Sequence, residues 1–389
     1  MTTERLEIQA MAREFAETEL RPRSAEWDAR RALDDEVFGK LAEQGFLGML
    51  VPEEHGGLGL DHTTYVTVLE ELAWGDGAVA LSVSAHNGLV ATMLVRHGTD
   101  AQKARWLPAL ASGEVLGAFA LSETQAGSDL AAMSTRARRE GAGWRLEGDK
   151  RWVTNGARAG LLVVFAATGE RGVGVFLVTH ADEGVRAGAR EQTLGLRASE
   201  TVSLELRGVR LDADRLVGDA RAGLRYALEV VDVGRVGTAA QAVGIGRAAM
   251  EHAAAYALTR EQFGQPIARF GAIQEKLAGM AERLAAGRAL ALEAAAALSA
   301  GELANGAART GLEGAAAKAA MAKLAASEAA TWVTDEAVQV FGGYGYMRHY
   351  PVEKLLRDAK GTEIYEGTSE IMRYVIAREL LRDMGDTSA

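Results

Sequence analysis

Residues 220–264, ARAGLRYALEVVDVGRVGTAAQAVGIGRAAMEHAAAYALTREQFG, are dense in alanine and contain no proline. Alanine is the best helix former and proline the strongest helix breaker, so this stretch predicts one very long helix. PIARFGAIQEKLAGMAERLAAGRALALEAAAALSAG follows, with Pro266 placed where a helix's first turn tolerates it. EGAAAKAAMAKLAASEAATWVTDEAVQVFGG then ends in a glycine pair, and shorter helices are predicted at 352–359 and 369–382. Long helices joined by short links form bundles, and alanine lets their axes approach closely. A four-helix bundle over residues 222–389 is the expectation.

Upstream, the periodicity changes twice. Val37, Phe38, Leu41, Phe46 and Leu47 recur at helical spacing behind Asp34 or Asp35 as N-cap. VPEEHGGLGLDHTTY reads as a loop, and TDAQKARWLPALASGE as a helix capped by Thr99. From about residue 117 the pattern is strand and turn. In WRLEGDKRWVTNG, Gly148-Asp149 is expected to turn the chain between runs holding Trp144 and Trp152. LLVVFAATGERGVGVFLVTH repeats the device about a Gly/Glu/Arg turn, and TVSLELRGVRL alternates Val202, Leu204 and Leu206 inward. Strands with no helices between them make an antiparallel sheet or β-barrel. The fold class is therefore multi-domain α+β: an all-α N-terminal domain (1–116), a β domain (117–221) and the bundle (222–389). A chain of 389 residues is long enough to need more than one core.

Composition narrows the chemistry. Lys plus Arg number 43 against 53 Asp plus Glu, and a net charge of −10 argues against nucleic acid as partner. A small phosphorylated ligand stays open, because it needs only a few local cations and N–H groups. The absence of cysteine removes disulfides, thiolate catalysis and iron–sulfur clusters, and the seven histidines show no metal-ligand spacing. The polar, acidic N-terminus has no apolar signal core, and no stretch is read as an unbroken membrane span, so a cytoplasmic protein is expected. The glycine clusters follow helices or lie in loops, whereas a dinucleotide fingerprint needs a strand before and a helix after.

One acid stands out. In TEIYEGTSEIMRYVIAREL (362–380), Glu366 is wedged between Tyr365 and Gly367, just before a helix capped by Thr368. Most glutamates are merely solvated, yet a carboxylate in a tight, apolar-walled turn can also serve as a base. Two effects compete for its pKa: a helix N-terminus lowers it and a water-excluded pocket raises it.

Four ordered stretches, FALSETQAGSD (119–129), KRWVTNG (150–156), REQFGQPIARF (260–270) and QVFGGYGYMRHYPVEKLLRDAKGTEIYEGTSE (339–370), resemble the acyl-CoA dehydrogenase family. The resemblance runs from VPEEHGGLGL to the last helix. It implies FAD, a CoA thioester substrate, electron delivery to an electron-transfer flavoprotein, and a homotetramer built on the bundle. Forming a 2,3-double bond removes an α-proton and a β-hydride; the flavin takes the hydride and a positioned base the proton. By resemblance Glu366 is that base, its N–H polarising the thioester oxygen with a ribityl hydroxyl. Gly367 admits the ligand closely.

The same resemblance assigns Phe119, Leu121, Ser122, Gly127, Trp152, Val153 and Thr154 to the flavin, and Ser128 to both flavin and acyl-CoA. Asp232 and Arg235 of DVGR match substrate contacts, with Tyr365 and Gly367 beside them. Arg260, Phe263 and Phe270, with Gln339, Val340, Phe341, Gly342 and Gly343, resemble residues that reach the FAD of a neighbouring subunit. Thr368, Ser369 and Glu370 complete the flavin set.

The sequence departs from the family in two places. Thr124 follows Ser122-Glu123 where proline is frequent, and Gly271 follows Phe270 where a glutamine contacts FAD. Both bear on cofactor affinity. The family's alternative base position, near 245, holds Gly244, Ile245 and Gly246, none of them acidic. The rival readings are an acyl-CoA oxidase or flavin monooxygenase on this scaffold, a dehydrogenase of carrier-protein-tethered acyl groups, and a helical scaffold without cofactor. By resemblance GDGAVALSVSAHNG (75–88) lines the acyl cavity; it has no Lys or Arg, so a short to medium monocarboxylic chain is expected.

Overall fold

Helix, sheet and helix again follow one another along the chain in this computed structural model, which describes residues 3–169, 172–303 and 311–385. The N-terminal region contains α1 (Thr3–Phe15), α2 (Ser24–Arg30), α3 (Asp35–Glu43), α4 (His62–Gly75), α5 (Gly77–Ser84), α6 (Thr92–His97) and α7 (Asp100–Ala111). Thr99 caps α7 in a reciprocal capping box with Gln102. Asp34 stands at the N-cap of α3 but makes no cap bond; its carboxylate accepts from Trp27 Nε1 and Arg30 instead.

Helices α5 and α6 are one helix, Gly77–His97, joined by a π-helical stretch, Ala85–Ala91. With a mean hydropathy of 1.5 it is long and apolar enough to cross a bilayer, contrary to the sequence expectation. Burial explains its composition: 89% of the apolar window lies inside the protein. His86 in its middle fixes it to the surrounding backbone. The imidazole faces the Leu47 and Leu110 carbonyls at 3.0 and 3.2 Å and accepts from Gly117 N–H at 3.0 Å. Burial pushes its pKa down to about 4, so the ring is neutral.

The β domain is one sheet of β1 (Gly117–Ala120), β2 (Arg136–Glu140), β3 (Gly143–Thr154), β4 (Leu161–Ala167), β5 (Val173–Val178), β6 (Val185–Arg190), β7 (Thr201–Leu211) and β8 (Leu216–Val217). Its order is β6-β7-β3-β2-β4-β5-β8, with β1 also on β4. The pairing is mixed: β1 and the start of β2 both run parallel to β4. They act as one interrupted strand, from which residues 121–135 loop out. Val202, Leu204 and Leu206 face the core as their alternation predicts. The β4–β5 hairpin forms in register Leu162↔Val178, although residues 170–171 of its predicted turn lie outside the described residues.

Gly148-Asp149 is not a turn. Strand β3 runs straight through it, pairing Gly148 with Leu206 and Asp149 with Glu205. The hairpin closes earlier, where Glu140 of β2 meets Gly143. Gly148 serves a close approach instead, since a Cβ there would lie 2.6 Å from Thr135 Cα.

The C-terminal region holds α8 (Gly223–Thr259), α9 (Gly271–Leu303), α10 (Ala315–Phe341), α11 (Pro351–Thr362) and α12 (Ser369–Asp383). Pro266 sits in a small hairpin five residues before α9 begins, rather than in its first turn. Helix α10 packs on α8 and α9, and the two shorter helices pack on α10. On α12, Met372 and Val375 are buried, whereas Leu380 is exposed. One apolar cluster runs from Leu69 on α4 through Val236 and Ala239 on α8 to Ala330 on α10, so the two helical regions share a core.

Candidate active site

Glu366 lies in the turn between α11 and α12, with a left-handed backbone, φ 55°, followed by Gly367 at 96°. A non-glycine residue in that region costs free energy and persists only where its surroundings hold it. Two cations do so. Arg235 of α8 donates through Nε to the Glu366 carbonyl at 3.3 Å, and Lys323 of α10 donates to the Gly367 carbonyl at 2.7 Å. Tyr365 also anchors the turn: its hydroxyl donates to Gln241 Oε1 of α8 at 2.7 Å, and Gln241 Nε2 donates to Gly77 O at 2.7 Å. Thr368 caps α12 by accepting from Ile371 N–H at 3.4 Å.

The Glu366 carboxylate lies against α8 where that helix has no side chain. A Cβ on Gly234 would sit 2.7 Å from Glu366 Oε2 and 2.8 Å from Leu89 Cδ2. Glu366 as a residue keeps some accessible surface. Crowding at the carboxyl dominates its charge. Desolvation pushes the pKa up to about 7, against the opposing pull of Arg235 and then Lys323. Burial outweighs both cations. Among the described residues the Glu366 N–H has no protein acceptor.

Tyr65 of α4, fully buried, lies nearby with its hydroxyl 3.5 Å from Ser84 Oγ, and burial raises its pKa further under the charge of Glu366. Leu89, at the base's flank, comes from the π-helical stretch; such stretches recur at functional sites.

The β domain contributes the other face. Trp152 is left-handed, φ 54°, yet 56% exposed, at an irregularity where β3 slips against β7 between Lys150 and Val153. A large aromatic held strained and uncovered is where a planar ligand finds a flat wall. Beside it runs the looped-out 121–135 segment, fixed by a charge that spacing alone does not reveal. Glu123 Oε1 accepts from Lys150 Nζ at 2.8 Å, both side chains being essentially unexposed. Glu123 also accepts from Ser134 N, Ser134 Oγ and Thr135 N at 2.7, 2.6 and 3.0 Å. Lys150 donates onward to Leu121 O at 3.0 Å, and Arg151 N–H to Ser122 O at 2.9 Å. Leu121, Ser122 and Trp152 are thereby brought together. Phe119 stacks edge-on against Phe165, Thr154 is half-buried, and Gly127 and Ser128 are exposed. Asn155 ties this face to α5 by donating to Ser82 O and Gly117 O at 3.2 and 3.3 Å.

Other assigned residues are buried. Val153 is buried in the β core, and Val340 and Phe341 in the helical core, Phe341 stacked on Tyr256 at 4.2 Å. Their side chains are committed to packing. Arg235 is only 7% exposed, pairs with Asp232 at 2.8 Å and donates to the base turn. Ser369 is buried with an Oγ that has no partner among the described residues, and Glu370 is exposed.

Arg260, Phe263, Phe270, Gln339, Gly342 and Gly343 form a separate group at the far ends of α8 and α10. Arg260 lies over the Tyr344 ring, and Phe263, 95% exposed and left-handed, meets Phe270 edge-on at 6.0 Å. Arg260 is 26 residues beyond Gly234, ~39 Å along α8 at the usual helical rise.

A desolvated acid and an exposed indole, hung from different domains and tied through one helix, suit a three-domain oxidoreductase. Three family models match in order: acyl-CoA dehydrogenase N-terminal domain over residues 2–114, middle domain over 118–209 and C-terminal domain over 221–381. The mitochondrial short-chain specific acyl-CoA dehydrogenase of Bos taurus is 40% identical over 379 residues, 96% of this chain and 89% of that protein. Butyryl-CoA dehydrogenase of Megasphaera elsdenii superimposes with a TM-score of 0.94 at 36% identity, over 98% of this chain and 99% of that one. A chain solved in work on the electron transferring flavoprotein of Acidaminococcus fermentans and flavin-based electron bifurcation also gives 0.94, at 39% identity and the same coverage. This chain belongs to the acyl-CoA dehydrogenase family, a family of flavin-dependent oxidoreductases.

Proposed function

We propose that the protein oxidises a saturated acyl-CoA to the trans-2-enoyl-CoA, with Glu366 as the base that removes the α-proton. The observation that carries this is the Glu366 carboxyl itself, packed against Gly234 in a clamped, left-handed turn with a pKa near neutrality. A base poised near the working pH combines available carboxylate with proton affinity. The unpartnered Glu366 N–H is free to donate to the thioester oxygen as negative charge develops there.

FAD is the flavin we assign. The uncovered Trp152 face, the half-buried Phe119, Leu121, Ser122 and Thr154 beside it, and the orphaned Ser369 Oγ suit such a group. Bound FAD supplies a hydride acceptor at N5. Ser128, exposed in the 121–135 segment, is the residue we assign to the acyl-CoA, and its exposure supports that reading. The ~39 Å between Gly234 and Arg260 supports assigning the Arg260–Phe263 and Gly342–Gly343 group to the FAD of a neighbouring chain in a homotetramer. The likeness to the chain from the Acidaminococcus work supports an electron-transfer flavoprotein as acceptor.

The substrate we favour is a short to medium monocarboxylic acyl chain. Residues 75–88 bring no Lys or Arg, and their one histidine, His86, is neutral and locked onto backbone. Glu366→Gln tests the base. The variant keeps its flavin and binds acyl-CoA, while anaerobic flavin bleaching slows by about 10²–10⁴-fold. Bleaching at the normal rate removes Glu366 from the role, and a panel of acyl-CoAs in the same assay ranks chain length.

A further inference from the structure

Lys323 lies in AAMAKLAASEAAT, where the sequence reads as helix-packing alanine and nothing more. Its side chain is fully buried, and among the described residues its ammonium makes one hydrogen bond, to Gly367 O at 2.7 Å. An ammonium carries three donors and is costly to bury, so a purely structural position is better filled by an apolar residue. We propose that Lys323 is a positioning residue for the reaction, clamping the base turn at Gly367 and keeping the neighbouring carboxyl ionisable. This rests on the reading of Glu366 as the base.

The geometry is two-sided. Arg235 and Lys323 reach the turn from α8 and α10 and take consecutive carbonyls, Glu366 O and Gly367 O. Those are the two residues held at positive φ, 55° and 96°. Loss of either clamp lets the strained turn relax and carries the carboxylate away from Gly234.

The charges act together. Around Glu366 stand Arg235 and Lys323, both favouring the carboxylate, with Tyr65 of α4 and Tyr365 of the turn, both neutral because burial raises them. Around Lys323 stand Glu366, Glu363 and Glu328, which favour the ammonium, and Arg235, which opposes it. Asp232 meets part of the Arg235 charge at 2.8 Å. Burial brings Lys323 down to about 8, and burial brings the acid up to about 7. Each group's charge sustains the other's through the range where the reaction runs.

The test compares Lys323→Met, Lys323→Gln and Lys323→Arg in the flavin-loaded enzyme. Two quantities are read against pH: the anaerobic bleaching rate with butyryl-CoA, and the Glu366 carboxyl signal by infrared difference spectroscopy, with Glu366→Gln as the blank. Met and Gln should raise the carboxyl titration by about one unit, which lowers the ionised fraction at pH 7 about fivefold. Their rates should fall at least that far at pH 7 and recover most of it by pH 9. Arg should restore the wild-type titration. An unmoved titration in Met and Gln, whether activity is lost evenly across pH or not at all, overturns the proposal. If Met does not fold, Gln against Arg decides alone. The infrared titration reports the clamp even if Glu366→Gln bleaches normally, so failure of the base reading is told apart from failure of this one.

Discussion

Gly234→Ala places one methyl group against the proposed base, and the structure sets the size of the effect. The new Cβ lies 2.7 Å from Glu366 Oε2, about 0.7 Å inside the 3.4 Å edge of ordinary contact, and 2.8 Å from Leu89 Cδ2. Both atoms end flexible side chains, so the fold accommodates the methyl by moving them. Alanine gains about 1 kcal/mol over glycine in a helix interior, while overpacking costs about 1–3 kcal/mol. The net stability change is therefore between about zero and about 2 kcal/mol, on the destabilising side. The rate suffers more. A misplacement of about 1 Å at a reacting group costs on the order of 10²-fold, so a carboxylate displaced by about 0.7 Å should slow bleaching by about 10–100-fold. Stopped-flow flavin absorbance under anaerobic conditions measures the rate, and a thermal melt confirms the fold. A folded variant that bleaches at the wild-type rate refutes the placement of the base against α8.

Two further outcomes follow from the buried charges. For Glu366 the folded pKa, about 7, lies above the ordinary 4.5, so the native state binds the extra proton and stability falls as pH rises from about 4.5 through about 7. Glu366→Gln should therefore raise the melting temperature at pH 8 and change it little at pH 4; an equal shift at both pH values contradicts the burial argument. Breaking the Glu123–Lys150 pair by Lys150→Met leaves an uncompensated buried carboxylate at a cost of about 3–5 kcal/mol and loosens the loop bearing Leu121 and Ser122. Chemical denaturation and flavin retention should both report it, and Glu123→Gln added to Lys150→Met should restore part of the loss; strictly additive losses deny the coupling.

The α–β–α order was legible in the sequence because periodicity and breakers act locally. Proline-free alanine gave α8, Thr99 marked the start of α7, and alternation oriented Val202, Leu204 and Leu206. Local signals failed where a distant partner decided the geometry. Gly148 looked like a turn and is a contact with Thr135; the 77–97 helix, apolar enough for a bilayer, is a buried core helix. Glu366 could be picked out from its turn and from family likeness, because an acid between Tyr365 and Gly367 is unusual in one dimension. What makes it a poised base was not written there. Its pKa depends on atoms from α8, α10 and the Gly77–His97 helix, separated from it by hundreds of positions or by tens. Lys323 and the Glu123–Lys150 pair were invisible for the same reason: desolvation and charge pairing are functions of distance in space, and only folding sets those distances.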